Sequence, residues 1–124
     1  MSLTTSKRLD RLGDIVENCE RLARHVSRTS RDAYFTDEKT IDAVERCLQR
    51  ISEAAYKLGS YLDDIYPDTP WKNARGIGNI LLHKYDQVTE DLIWASIEED
   101  IPRLRKSALR EIGRLKQSEG DTGT

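Results

Sequence analysis

Apolar residues recur along this chain with a spacing near 3.6, and no segment alternates with period two for long enough to suggest a sheet. The first stripe is Leu9, Leu12, Ile15/Val16, Cys19, Leu22/Ala23 and Val26, which predicts a helix from about Thr5 to Arg28. A polar connection, TSRDAYFTD, follows. Its Tyr34 and Phe35 stand just ahead of Thr36 and Asp37, either of which would cap the next helix, with the aromatics as a hydrophobic staple. The second stripe, Ile41, Val44, Leu48, Ile51, Ala54/Ala55, Leu58, Leu62 and Ile65, predicts a helix from about Glu38 to Tyr66. Two long helices joined by a short loop should pack antiparallel, with Cys19 and Cys47 at similar heights.

The stretch YPDTPW breaks the pattern. Pro67 ends the second helix, Thr69 suits an N-cap, and Pro70 suits the first helical position. A third helix carries Trp71, Ile77, Ile80/Leu81 and His83 and should end near Lys84 or Tyr85. A fourth starts at Asp86 or Thr89 and holds Leu92, Ile93, Trp94 and Ile97. Pro102 marks a break or the first turn of a fifth, with Leu104, Ala108, Ile112 and Leu115 on its stripe. The predicted fold is all-α, an up-down bundle of four to five helices. The first two exceed the rest in length, which leaves an apolar face for a second copy and predicts a homodimer. One domain is expected over residues 1–117. The polar tail 118–124 is expected to be disordered.

Composition narrows the function. Hydrophobic residues make up 37% and charged residues 34%, mixed in sign, with a net charge of -2. A general nucleic-acid coat would be basic, so any nucleic-acid site here must be local. The segment from Ile101 to Lys116 is the basic one: Arg103, Arg105, Lys106, Arg110, Arg114 and Lys116 stand against Glu111 alone. It could steer RNA, dock a partner or simply be solvated. No apolar run spans a membrane, no signal peptide opens the chain, and two cysteines without metal spacing point to a reducing cytoplasm. Cys19 and Cys47 lie on apolar stripes and read as buried thiols.

The stretch GNILLHKY, residues 78–85, carries the candidate chemistry. Arg75, Asn79 and His83 follow at four-residue steps and share one drifting helix face. Tyr85 joins them if the helix ends there. Cleaving RNA requires a base for the 2'-hydroxyl, an acid for the leaving oxygen and a cation on the phosphate. His, Arg and Asn, duplicated across a dimer axis, would supply these without a metal. His25, among Arg24 and Arg28, reads as a solvated surface residue. Trp71 and Trp94 fit core positions better than base-stacking ones. Glu53 is either solvated or paired with Arg75 or His83.

The segment from Trp71 to Arg105, WKNARGIGNILLHKYDQVTEDLIWASIEEDIPRLR, resembles the C-terminal signature of the HepT-like branch of the HEPN superfamily. Upstream, RDAYFTDEKTIDAVERCLQRISEAAYKL resembles the matching region, including Phe35, Asp37, Glu53 and Ala54. The resemblance runs from about Leu9 to Leu115. It implies an all-α homodimer with a cleft at its interface, a metal-independent and cofactor-free endoribonuclease acting as a toxin, and a small nucleotidyltransferase (MNT) antitoxin. The family motif is Arg, four to six residues, His, any residue, Tyr. His83 then matches the cleaving histidine and Tyr85 the residue to which the antitoxin adds AMP. Asn79 matches the polar residue after the motif Arg. The arginine itself is not matched: Gly78 stands five before His83 and Leu82 directly before it. Arg75 is the nearest substitute, eight residues away, about 12 Å along a helix and about 80° around it. Lys84 is closer but lacks the planar fork that grips phosphate. A family member that binds a nucleotidyltransferase or RNA without cleaving is the alternative implied by Gly78.

Overall fold

The computed structural model describes residues 3–82 and 87–122, without the side chains of residues 87 and 119–122. All regular structure among the described residues is helical. Helix α1 (Thr5–Val26) starts where Thr4 Oγ1 accepts from the Lys7 amide at 3.2 Å. It stops short of Arg28, because that residue turns into the left-handed region at φ 65°. The connection contains a single-turn helix, α2 (Arg31–Tyr34), capped by Ser30. Four residues are too few to leave a periodic signal.

Helix α3 (Glu38–Leu58) begins on Asp37, whose carboxylate accepts from the Thr40 amide at 3.3 Å and from its hydroxyl at 2.7 Å. The single helix expected to reach Tyr66 is broken at Gly59. This residue adopts φ 74°, ψ -150°, a region open in practice only to glycine. The chain resumes as α4 (Tyr61–Ile65), so Leu62 stays in the core while Ile65 turns outward.

Helix α5 (Trp71–Leu81) is preceded by Pro70 as its cap residue. Thr69, expected to cap it, instead hydrogen-bonds its hydroxyl to that of Ser107. The helix ends three residues before Lys84, with the Leu82 amide bonded back to the Asn79 carbonyl at 3.2 Å. That three-residue closure tightens the last turn. Helix α6 (Gln87–Ala95) leads into a π turn (Ser96–Asp100) and then α7 (Ile101–Thr122), which overlaps the segment read as a tail and matches α1 in length. Pro102 explains the π turn. A proline lacks the amide for an α-type bond and its ring crowds the carbonyl four residues back. The Ile101 amide bonds to the Ser96 carbonyl, five residues back, which widens the turn just ahead of the ring.

The core forms as the stripes predict. α1 packs on α3 and on α7, and α3 packs on α5. Leu12, Ile15, Cys19 and Leu22 meet Val44, Cys47, Leu48 and Ile51, with Leu104 and Ala108 closing the third side. Burial pushes the Cys19 thiol up to about 12 and raises Cys47 as well, so both stay protonated thiols. Trp71 is buried in the core, and Trp94 packs against Tyr34 with ring centroids 5.6 Å apart. His25 is exposed, as its position implies. No described helix is long and apolar enough to cross a membrane.

The buried carboxylate of Glu111, 0% exposed, ties α7 to the segment just after α4. It accepts from the Tyr66 hydroxyl at 3.0 Å and twice from Arg114 at 2.7 Å. Burial alone would raise its pKa; the bonds from Arg114 and Tyr66 outweigh this and hold it below the usual range. The basic segment is thus partly spent inside the chain. Arg114 pairs with Glu111, Arg105 with Glu20 at 2.9 Å, and Arg110 lies 5.7 Å from the Tyr66 ring centroid.

Gly59 provides a direct test of the α3 break. A Cβ there would meet nothing within 4 Å, so Gly59→Ala should cost about 1–3 kcal/mol through backbone strain alone. Urea unfolding should show a lower midpoint with an unchanged slope.

Candidate functional site

The face holding Arg75 and Asn79 is built against α3. On α3, Gln49, Ser52, Glu53 and Tyr56 follow at i, i+3, i+4 and i+7, one continuous stripe. On α5, Arg75, Gly78 and Asn79 follow at i, i+3 and i+4. These seven residues line a groove of about 400 Å³ between the two helices. The spacing argument therefore places Arg75 and Asn79 together, and the fold adds partners from α3. His83, Lys84 and Tyr85 lie outside the described residues.

Arg75 is the anchor of this face. Its guanidinium binds Asp63 in a two-pronged pair, Nη1 to Oδ1 at 2.9 Å and Nη2 to Oδ2 at 2.8 Å. Nη1 also donates to the Gly59 carbonyl at 3.2 Å. The Arg75 carbonyl accepts from the Ser52 hydroxyl at 3.0 Å. One residue thereby fastens α5 to α3, to the glycine break and to α4. The hydrogen bonds from Arg75 hold the Asp63 carboxyl below its ordinary range and raise the guanidinium in turn. These bonds engage two of the guanidinium nitrogens, so only part of its five-donor fork faces outward.

Glu53 does not join Arg75. It is exposed and bonds to Lys57 at 2.8 Å, one turn along its own helix. Gly78 sits on the groove floor, where a Cβ would lie 3.6 Å from the Ser52 hydroxyl, an ordinary van der Waals distance. A side chain at position 78 is thus sterically admissible. Asn79 is exposed on the groove rim. Asp100, at the end of the π turn, is half-buried against Asn73 and Ser96. Burial raises its pKa, while those two hydrogen-bonding groups oppose the shift.

Tyr56 is the residue that stripe-reading passes over. It is 75% exposed and lines the groove. Its neighbours Ile51, Ala54, Ala55 and Leu58 are buried, so an aromatic on the polar side of an amphipathic helix was the available signal. Beyond the groove, Leu82, Val88 and Leu92 are exposed at 71%, 70% and 50%. Val88 and Leu92 are one turn apart on α6 and present one apolar face.

Comparison with known proteins gives a consistent match. The family model described as "Ribonuclease HepT-like" matches residues 15–111. The chain is 30% identical over 95 residues to a protein of Methanocaldococcus jannaschii provisionally named an RNase, covering 77% of this chain and 87% of that one. It is 30% identical over 96 residues to a protein of Thermococcus cleftensis provisionally named ribonuclease HepT, covering 77% and 87%. A second M. jannaschii protein, also provisionally named an RNase, is 31% identical over 110 residues, covering 89% and 88%. No solved structure matches the chain.

The Arg75–Asp63 pair carries a pH signature. The folded Asp63 pKa lies below the unfolded value of about 3.9, so the pair's contribution is present above that value and is lost as pH falls through the folded pKa. Both partners are partly solvated, so Asp63→Asn should cost only about 1 kcal/mol at pH 7. The difference from the parent chain should shrink below about pH 4 in thermal melts.

Proposed function

This chain belongs to the HepT-like ribonuclease family, and on that premise we propose that it is an endoribonuclease toxin whose site centres on His83. The observation that carries the reading is the His-x-Tyr at His83 and Tyr85, two residues beyond a helix whose preceding turns present Asn79 and Arg75 on one groove. In the proposed reaction the RNA 2'-oxygen bonds to the adjacent phosphorus and the bond to the 5'-oxygen breaks. The 2'-hydroxyl proton passes to one His83, and the leaving 5'-oxygen takes a proton from the His83 of a second copy. Arg75 neutralises the phosphate with the part of its fork that Asp63 leaves over, and Asn79 orients the strand. No metal takes part. The exposed Leu82, Val88 and Leu92 favour a homodimer, since they would bury their apolar area against a second copy near the site. The antitoxin is a nucleotidyltransferase that adds AMP to Tyr85, in the cytoplasm.

One observation favours a second reading, in which the chain binds a nucleotidyltransferase or RNA without turnover. Gly78 replaces the motif arginine, and Arg75 is already committed to Asp63.

Cleavage of single-stranded RNA by the purified chain separates the two. His83→Ala should lower the rate by about 10²–10⁴-fold, the usual contribution of general acid–base catalysis. Equal behaviour of parent and variant, with the RNA intact in both, removes the toxin reading. Gly78→Arg, whose Cβ would sit at an ordinary contact distance, should raise the rate if the missing arginine limits it. Incubation with a nucleotidyltransferase partner and ATP should add the mass of AMP to the parent chain and not to Tyr85→Phe. A gain that survives the substitution excludes Tyr85 as the acceptor.

A further inference from the structure

We propose that the groove between α3 and α5 is a nucleobase subsite, in which Tyr56 stacks on an unpaired base of an RNA strand and Gln49 and Asn79 read its edge. The inference rests on the ribonuclease reading for the identity of the strand. Its physical basis lies in the groove.

Three features point to a base. The first is Tyr56, an aromatic 75% exposed on a helix whose apolar face is otherwise inside. A ring held there by α3 is a platform that every base can cover, and stacking is insensitive to sequence. The second is the pair of exposed amides, Gln49 on the same stripe and Asn79 across the groove. Each amide offers a donor and an acceptor, the complement of a base edge. The third is Gly78. With no side chain on the floor, the groove keeps a volume of about 400 Å³, within the range of small-ligand sites. The residue that departs from the family motif is therefore the one that opens this space.

The charges are arranged to tolerate a neutral ring. Arg75 is neutralised by Asp63, and Glu53 by Lys57 at 2.8 Å. The two pairs take up most of the charge along the groove wall, which leaves the amides as the principal polar readers. The α5 stripe from Arg75 through Asn79 continues in sequence to His83, four residues on.

The test uses the full chain carrying His83→Ala, so that binding is read without cleavage. Fluorescence anisotropy with labelled eight-nucleotide oligouridylate and oligoadenylate gives the affinities. Tyr56→Leu should weaken binding about 5–30-fold, while Tyr56→Phe should stay within about twofold, because the ring and not the hydroxyl stacks. Gln49→Ala should change the ratio between the two oligomers. Tyr56 is exposed, so neither substitution threatens the core, and circular dichroism confirms this. The proposal is overturned if Tyr56→Leu binds as tightly as the parent, if Phe loses as much as Leu, or if no RNA binds. Tight binding of free AMP, equal to the octamer, assigns the groove to a mononucleotide and also overturns it. A drop in molecular mass by light scattering on Tyr56→Leu assigns the face to a second copy, with the same consequence. Cleavage by the parent chain is scored separately. Cleavage with Tyr56-independent binding removes the subsite alone, and Tyr56-dependent binding without cleavage removes the ribonuclease reading alone.

Discussion

The guanidinium of Arg75 is the fixed point from which the candidate site takes its geometry. It joins Asp63 on α4, the carbonyl of Gly59 at the α3 break and, through its own backbone carbonyl, Ser52 on α3. The partners belong to α3, to its break and to α4. The break at Gly59 exists because φ 74° is open to glycine, and it swings Asp63 into reach of α5. Once α5 is pinned by its middle, Gly78 and Asn79 face the α3 stripe. Surface ion pairs usually contribute little, but a two-pronged pair with a third acceptor fixes orientation more than it adds energy.

That fixed point creates a chemical tension. Holding the helix uses most of the arginine's reach, and Gly78 stands where the proposed motif expects an arginine. On the proposed ribonuclease reading, the cation nearest His83 in the α5 sequence is therefore held largely in a structural role. The consequence is an open floor in the groove and a cationic contribution smaller than a free guanidinium would give. Binding and cleavage need not be equally preserved under that arrangement. Part of the basic α7 is engaged in the same way, Arg105 with Glu20, Arg110 with Tyr66 and Arg114 with Glu111.

Much of this was legible in the residues, for identifiable reasons. The long stripes of α1 and α3 repeat often enough to fix helix type, and Cys19, Cys47 and Trp71 fall inside as their phase requires. Asp37 and Pro102 act locally, so cap and turn chemistry locate them. What escaped depends on long-range partners. Gly59 continues the apolar phase through Leu58 and Leu62, and nothing nearby announces that Arg75, sixteen residues on, will bind its carbonyl. Thr69 looks like an N-cap until Ser107, from the far end of the chain, takes its hydroxyl. Glu53 was a reasonable partner for Arg75 on charge alone, but Lys57 is one turn away and Asp63 offers the better geometry. On the groove, Arg75 and Asn79 come together as their spacing predicts, whereas Tyr56 lies off the apolar stripes and needed the groove to give it meaning.

Amide hydrogen exchange on Arg75→Ala tests the central claim most directly. If Arg75 fastens α5 to α3 and α4, protection should fall across residues 61–65 and 71–82 while α1 and the centre of α7 exchange as in the parent chain. Unchanged exchange over residues 71–82, or a uniform loss through the whole bundle, would contradict it.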